Sequence, residues 1–102
     1  MRLNPEQVSA ITQSAAQCFG PSARVWLFGS RTDDLRRGGD IDLLVETETM
    51  SLDRELDARN RFIVNLQMRI GEQKIDVILA ARDTPDERRV VQIARQSGVL
   101  LS

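Results

Sequence analysis

The chain has 102 residues, 41% of them hydrophobic and 28% charged, and its net charge of −1 gives no electrostatic preference for nucleic acid or an anionic membrane. We expect one domain over residues 1–102, in a cytoplasmic protein, because the first residues lack an apolar leader and no stretch has the roughly eighteen apolar residues of a membrane span. With no histidine and one cysteine, the chain excludes His-based triads, His-ligated zinc, thiolate metal cages and a disulfide framework.

The first two predicted elements are a helix and a buried strand. Asn4 and the Pro-Glu-Gln that follows it form a helix-start motif, and apolar residues at helical spacing carry the helix to about Phe19. Gly20-Pro21 ends it. The mostly apolar run over residues 23–28 predicts a buried strand, which Gly29 ends.

The next predicted elements are a short helix and a second strand. Ser30 is a suitable N-cap for a helix through about Leu35, and the Arg-Arg-Gly-Gly sequence over residues 36–39 predicts a flexible basic loop. The second strand is predicted over Asp40 to Glu46.

A long helix, a third strand and a last helix complete the chain. Apolar spacing predicts the long helix from Leu52 to near Gly71, and Lys74 to Ala80 reads as the third strand. Thr84-Pro85-Asp86-Glu87 is a helix-start signal for a last helix through about Gln96. The order helix, strand, short helix, strand, helix, strand, helix predicts an α/β or α+β domain with a small mixed sheet.

Three aspartates on the predicted strands are the main functional signal. Alternation places Asp40 and Asp42 on one face of the second strand, and Asp76 lies between two apolar residues of the third. Aspartate is depleted in strands, and converging carboxylates raise each other's pKa unless divalent cations offset the repulsion. Simple solvation of a strand end stays open for Asp40 alone. The pattern predicts a phosphoryl-transfer site with two Mg²⁺ or Mn²⁺ ions.

The Gly29-Ser30 pair, between a strand and a helix, suits phosphate binding, because glycine permits close backbone approach and helix amides donate to phosphate oxygens. Ordinary turn and capping chemistry is the alternative, and no dinucleotide or Walker glycine motif is present. Arg31 is a further predicted phosphate ligand. Asp33 and Asp34 are interpreted as acids of a helix start, which are common for dipole reasons, and not as metal ligands. Arg36 and Arg37 are expected to be solvated.

Lys74 lies two residues before Asp76 and therefore shares its face. We expect it to pair with Asp76 or with a phosphate.

Together, Gly29-Ser30, the Asp40-x-Asp42 pair nine residues later and the strand aspartate Asp76 resemble the signature of the minimal nucleotidyltransferases, within the DNA polymerase β-like nucleotidyltransferase superfamily. The resemblance covers the whole chain. It implies that Asp40 and Asp42 are metal ligands, that Gly29 and Ser30 contact the triphosphate, and that Asp76 is the third carboxylate and a candidate base.

The resemblance also implies a biological role. Stand-alone domains of this kind resemble the antitoxin partners of HEPN ribonuclease toxins. Some of these antitoxins transfer AMP from ATP to a hydroxyl of the toxin. A domain of this size has no separate acceptor module, so a partner or a second copy would complete the acceptor site. One alternative is a non-catalytic antitoxin that blocks its partner by binding. Another is transfer to a small molecule such as an aminoglycoside, but the enzymes that do this generally have an additional helical domain, which this sequence lacks.

Overall fold

The computed structural model describes residues 3–29, 40–82 and 84–102. Its elements, in chain order, are α1 (Pro5–Phe19), β1 (Arg24–Phe28), β2 (Ile41–Thr47), α2 (Leu52–Ile70), β3 (Ile75–Ala81), α3 (Arg89–Ser97) and β4 (Val99–Leu100). The mixed α/β fold predicted from the sequence is confirmed. The short helix predicted from Ser30 to about Leu35 and the basic loop after it lie outside the described residues. Within the described ranges, no helix combines the length and apolar character needed to cross a membrane.

The four strands form one mixed sheet in the order β3-β2-β1-β4. The central strand β2 runs parallel to β3, with Asp42 in register with Asp76. It runs antiparallel to β1, where Phe28 faces Asp42. The short strand β4, which was not predicted, pairs with Trp26 and Leu27. Since β1 runs antiparallel to β2, Gly29, which follows β1, lies beside Asp42 near the start of β2.

The two faces of the sheet are covered unequally. Ile41, Leu43 and Val45 are fully buried in the main core, which α1 and α2 complete with residues such as Ile11 and Phe62. On the other face, α3 covers only part of the sheet: Leu44 and Ala80 pack there with Val91 and Ala94 of the helix. Full burial of such aliphatic side chains contributes roughly 1.5–3 kcal/mol each. On this second face, Leu44 is preceded by Asp42 of β2 and by Asp40, which lies one residue before the strand.

Local capping explains the first helix. The Gln7 N–H donates to Asn4 Oδ1 at 2.7 Å, and the Asn4 N–H donates to Gln7 Oε1 at 3.0 Å, which forms the predicted capping box.

The predicted start of the last helix is wrong, because α3 begins at Arg89 and not after Thr84. The Thr84 hydroxyl donates to the Arg82 carbonyl, and Asp86 Oδ1 accepts from the Arg88 N–H at 3.0 Å. These local hydrogen bonds compete with helix formation. The Arg88 guanidinium also binds the Asp86 carboxylate and lowers its pKa to about 2.

β3 is an edge strand of the described sheet, and arginine side chains cover the side of it that faces away from β2. The even-numbered residues of this segment direct their backbone N–H and C=O groups toward β2. One example is the Lys74 carbonyl, which accepts from the Ile41 N–H at 3.0 Å. The carbonyls of the odd-numbered residues therefore point away from β2. Three of these carbonyls accept from guanidinium groups: Val77 from Arg59 at 2.9 Å, Leu79 from Arg88 at 2.7 Å and Ala81 from Arg95 at 3.2 Å. Occupied carbonyls impede the addition of another strand to this edge.

Candidate active site

Asp42 and Asp76 form the centre of the site. They face each other in register on β2 and β3, on the sheet face that α3 only partly covers, and their carboxyl groups are within hydrogen-bonding reach. Burial raises the pKa of Asp42, and the neighbouring charges of Asp76 and then Asp40 raise it further. Asp42 thus lies close to Asp76 and within electrostatic range of Asp40, whereas convergence of all three carboxylates on a metal ion stays a prediction.

Asp40 lies one residue before β2 and is held by Lys74. The distance from Lys74 Nζ to Asp40 Oδ2 is 3.4 Å, and the side chains remain 71% and 41% exposed, respectively. The expected pairing of Lys74 with Asp76 is corrected: its ion pair is with Asp40, because the parallel register places the residue before Ile75 beside the residue before Ile41, and pairing with a phosphate stays a prediction. The hydrogen bond to Asp40, and the charges of all three carboxylates, raise the pKa of Lys74.

Gly29 forms the wall of the site beside Asp42. It follows Phe28, the register partner of Asp42, and its φ of +77° lies in the region that side chains disfavour. A Cβ at this position would overlap Asp42 Oδ2 and lie 3.1 Å from Asp42 Cγ. Only glycine fits here without moving the carboxylate. The phosphate-binding role of Gly29 stays a prediction.

The nucleotidyltransferase domain family matches residues 8–97, a range that contains all the candidate site residues. The chain belongs to this family. No curated protein matched the sequence. Membership supports nucleotidyl transfer as the general activity, with a nucleoside triphosphate as substrate and the divalent metal that such enzymes generally use.

Part of the predicted site of this nucleotidyltransferase domain lies outside the described residues. Ser30 and Arg31, predicted to contact phosphate, fall there. So do Asp33 and Asp34, interpreted as helix-start acids, and Arg36 and Arg37, expected to be solvated.

The donor chemistry of the site fits a divalent cation. In the described ranges, no group of three or more His, Cys, Asp or Glu side chains is arranged to hold a metal ion. The groups that face one another are nevertheless carboxylate oxygens, the ligands that Mg²⁺ prefers. Asp42 and Asp76 are close enough to share one partner, and Asp40 precedes Asp42 on the same face. Of the three, Asp40 has to give up a contact with Lys74 before it can join them.

The opposite end of the same sheet face carries a buried ion pair that sequence reasoning missed. Glu46 lies on the Asp42 side of β2, only 6% exposed, and its Oε2 accepts from Arg95 at 3.0 and 3.1 Å. Its Oε1 accepts from the Trp26 indole N–H at 2.5 Å. The alternation that places Asp40 and Asp42 on one face also reaches Glu46, and that signal could have found it. This pair joins α3 to the sheet, in addition to the apolar contacts of Val91 and Ala94.

The carboxylates lie on an accessible part of the surface. Asp76 is exposed, and Asp40 and Asp42 are half-buried. A cleft of about 280 Å³ between the end of α1 and the start of α2, lined by Cys18, Arg54 and their neighbours, shares no residue with them. Among the described residues, the three carboxylates therefore lie at the surface and not in this cleft.

Proposed function

We propose that this domain transfers AMP from ATP to a hydroxyl group of a partner protein, with Mg²⁺ or Mn²⁺ bound at Asp40, Asp42 and Asp76. The supporting observation is the in-register pair Asp42 and Asp76, with Asp40 beside them and Gly29 against the Asp42 carboxylate. Carboxylates at the surface and an adjacent glycine turn suit the binding of a metal-complexed triphosphate next to an external acceptor.

The residues divide the work as follows. Asp40 and Asp42 hold the ions, which when bound supply charge neutralisation for the phosphates. Gly29 leaves room for the triphosphate, and Ser30 and Arg31 are its proposed contacts. Asp76 accepts the proton of the acceptor hydroxyl. The acceptor oxygen forms a bond to the α-phosphorus, the bond from that phosphorus to the bridging oxygen breaks, and pyrophosphate leaves with the electron pair.

The proposed acceptor belongs to a HEPN-type ribonuclease toxin. One feature supports an acceptor on another chain: Asp76, the proposed base, is exposed. Modification of a toxin hydroxyl would make the domain an antitoxin that acts by catalysis.

The experiment combines the purified domain, the protein encoded by the neighbouring gene, Mg²⁺ and ATP. ATP labelled at the α-phosphate should label the partner, and ATP labelled at the γ-phosphate should not, because AMP is transferred and pyrophosphate is released. Asp42→Asn and Asp76→Asn should abolish labelling. Asp53→Asn, on the exposed side of α2, is the matched control and should label as wild type does.

Two results would count against the proposal. Equal labelling by wild type and Asp42→Asn would mean that the carboxylates do not carry the reaction. A tight complex between the domain and its partner, with no label from either form of ATP, would instead favour the non-catalytic antitoxin. Calorimetry with Mg²⁺ and ATP separates these cases further, because a transferase site predicts metal-dependent ATP binding that Asp42→Asn loses.

A further inference from the structure

Lys74 is the only lysine in the chain, and its ammonium group lies 3.4 Å from Asp40 Oδ2. All the other basic side chains are arginines. The hydrogen bond to Asp40 has the largest effect on the pKa of Lys74, and the charges of Asp76 and Asp42 add to it. Lys74 is therefore a positive charge beside the carboxylates, and it is paired with Asp40.

The Lys74–Asp40 pair is a weak structural link. Both side chains are well exposed, and exposed ion pairs contribute little to stability because water and salt screen them. The backbone of Lys74 is fixed, since its carbonyl accepts from the Ile41 N–H at 3.0 Å. The ammonium is a compact charge on a flexible stem, so it can leave Asp40 while the strand stays in place.

The Asp40 carboxylate can be the partner of either of two cations, a divalent metal ion or the Lys74 ammonium. The two cations therefore compete for it. Once a cation occupies Asp40, the ammonium loses its hydrogen-bond acceptor and is repelled by the ion. If that ion also holds a nucleotide, a phosphate oxygen of the nucleotide lies near Lys74 and gives the ammonium a new negatively charged partner. Lys74 would thus oppose metal binding in the absence of nucleotide and favour it in the presence of nucleotide.

We propose that Lys74 is an internal counter-ion that metal displaces from Asp40 and that then binds a nucleotide phosphate, which makes metal and nucleotide binding cooperative. This inference rests on the proposed metal and nucleotide site. It assigns Lys74 a positioning role and predicts a coupling between two ligands, which is reciprocal by thermodynamic linkage.

The test measures Mn²⁺ affinity by calorimetry, with and without a non-hydrolysable ATP analogue. In Lys74→Met, Mn²⁺ alone should bind about threefold to tenfold more tightly than in wild type, because a positive charge near the ion is gone. The gain in Mn²⁺ affinity that the analogue produces should shrink by a similar factor. Lys74→Arg retains the charge and should keep the wild-type coupling.

Arg54→Met is the matched control, because it removes one positive charge from an exposed position on α2 that is remote in sequence from the strand ends. It should bind Mn²⁺ as wild type does, which separates the local effect of Lys74 from the effect of net charge. Equal thermal midpoints for wild type and Lys74→Met would verify that the fold is unchanged.

The possible failures are distinguishable. If wild type binds Mn²⁺ and the analogue cooperatively, and Lys74→Met has the same coupling or a weaker affinity for Mn²⁺ alone, the role of Lys74 is refuted and the proposed function stands. If wild type binds no Mn²⁺ with or without the analogue, the proposed site is refuted and the role of Lys74 is refuted with it.

Discussion

Gly29→Ala should damage the site by two separable effects. The first is backbone strain, because an L-residue at a φ of +77° costs about 1–2 kcal/mol. For a domain of this size, that corresponds to a fall in the thermal midpoint of about 4–16 °C. The second is displacement of Asp42. To restore an ordinary 3.4 Å contact with the new Cβ, the carboxylate oxygen has to retreat by about 1 Å. A misplacement of that size costs about 100-fold in rate.

The assay pairs Gly29→Ala with Gly71→Ala. Gly71 has a φ of +92°, but a Cβ there would meet no atom within 4 Å. Both variants should lower the thermal midpoint through strain. Only Gly29→Ala should weaken Mn²⁺ binding, measured by calorimetry, and nucleotidyl transfer, measured with α-labelled ATP.

The geometric reasoning fails if folded Gly29→Ala binds Mn²⁺ within twofold of wild type. It also fails if Gly71→Ala loses as much Mn²⁺ affinity as Gly29→Ala, because the loss would then follow from general destabilisation and not from the contact with Asp42.

Three further predictions concern charged residues. Without divalent metal, the raised pKa of Asp42 means that its contribution to stability is full below the ordinary value of 3.8 and declines as the pH rises through the folded-state pKa. Asp42→Asn should therefore raise the thermal midpoint in chelator at pH 7 by a few degrees and flatten its pH dependence, and an unchanged midpoint would contradict this. Glu46→Ala should cost about 1–3 kcal/mol in urea unfolding, because it leaves the partly exposed Arg95 guanidinium without its carboxylate partner. Replacing both residues with leucine should cost less than either single replacement. Arg59→Ala combined with Arg88→Ala frees two outward carbonyls of β3 and should produce concentration-dependent self-association in sedimentation, whereas a monomer at all concentrations would show that the arginines do not protect the edge.

Local signals in the sequence predict most of the elements. The capping box at Asn4 and the glycines after α1 and α2 act within a few residues, and both helices end where predicted, at Phe19 and next to Gly71. The second and third strands are each displaced by one residue. Alternation also places Asp40 and Asp42 on the same side of the chain.

The errors come from interactions that the sequence pattern does not display. Residues 84–87 have the composition of a helix start, but the Asp86 carboxylate binds Arg88, and the helix begins after that arginine. The two-residue strand β4 is too short to have a period. The partner of Lys74 depends on the register between β2 and β3, which places it beside Asp40.

One face of the sheet shows how a small domain can maintain a cluster of acidic groups. Three successive cross-strand rows lie on this face, with β2 contributing Asp42, Leu44 and Glu46 in turn. The Glu46 row is neutralised by Arg95 and buried, and the Leu44 row is apolar and covered by α3. In the Asp42 row, Phe28 packs against this apolar cluster, whereas Asp42 and Asp76 keep contact with solvent. The ion pair at Glu46 joins α3 to the sheet at the end of the face away from these aspartates. Glu46→Ala is therefore expected to loosen α3 before it alters the carboxylates themselves.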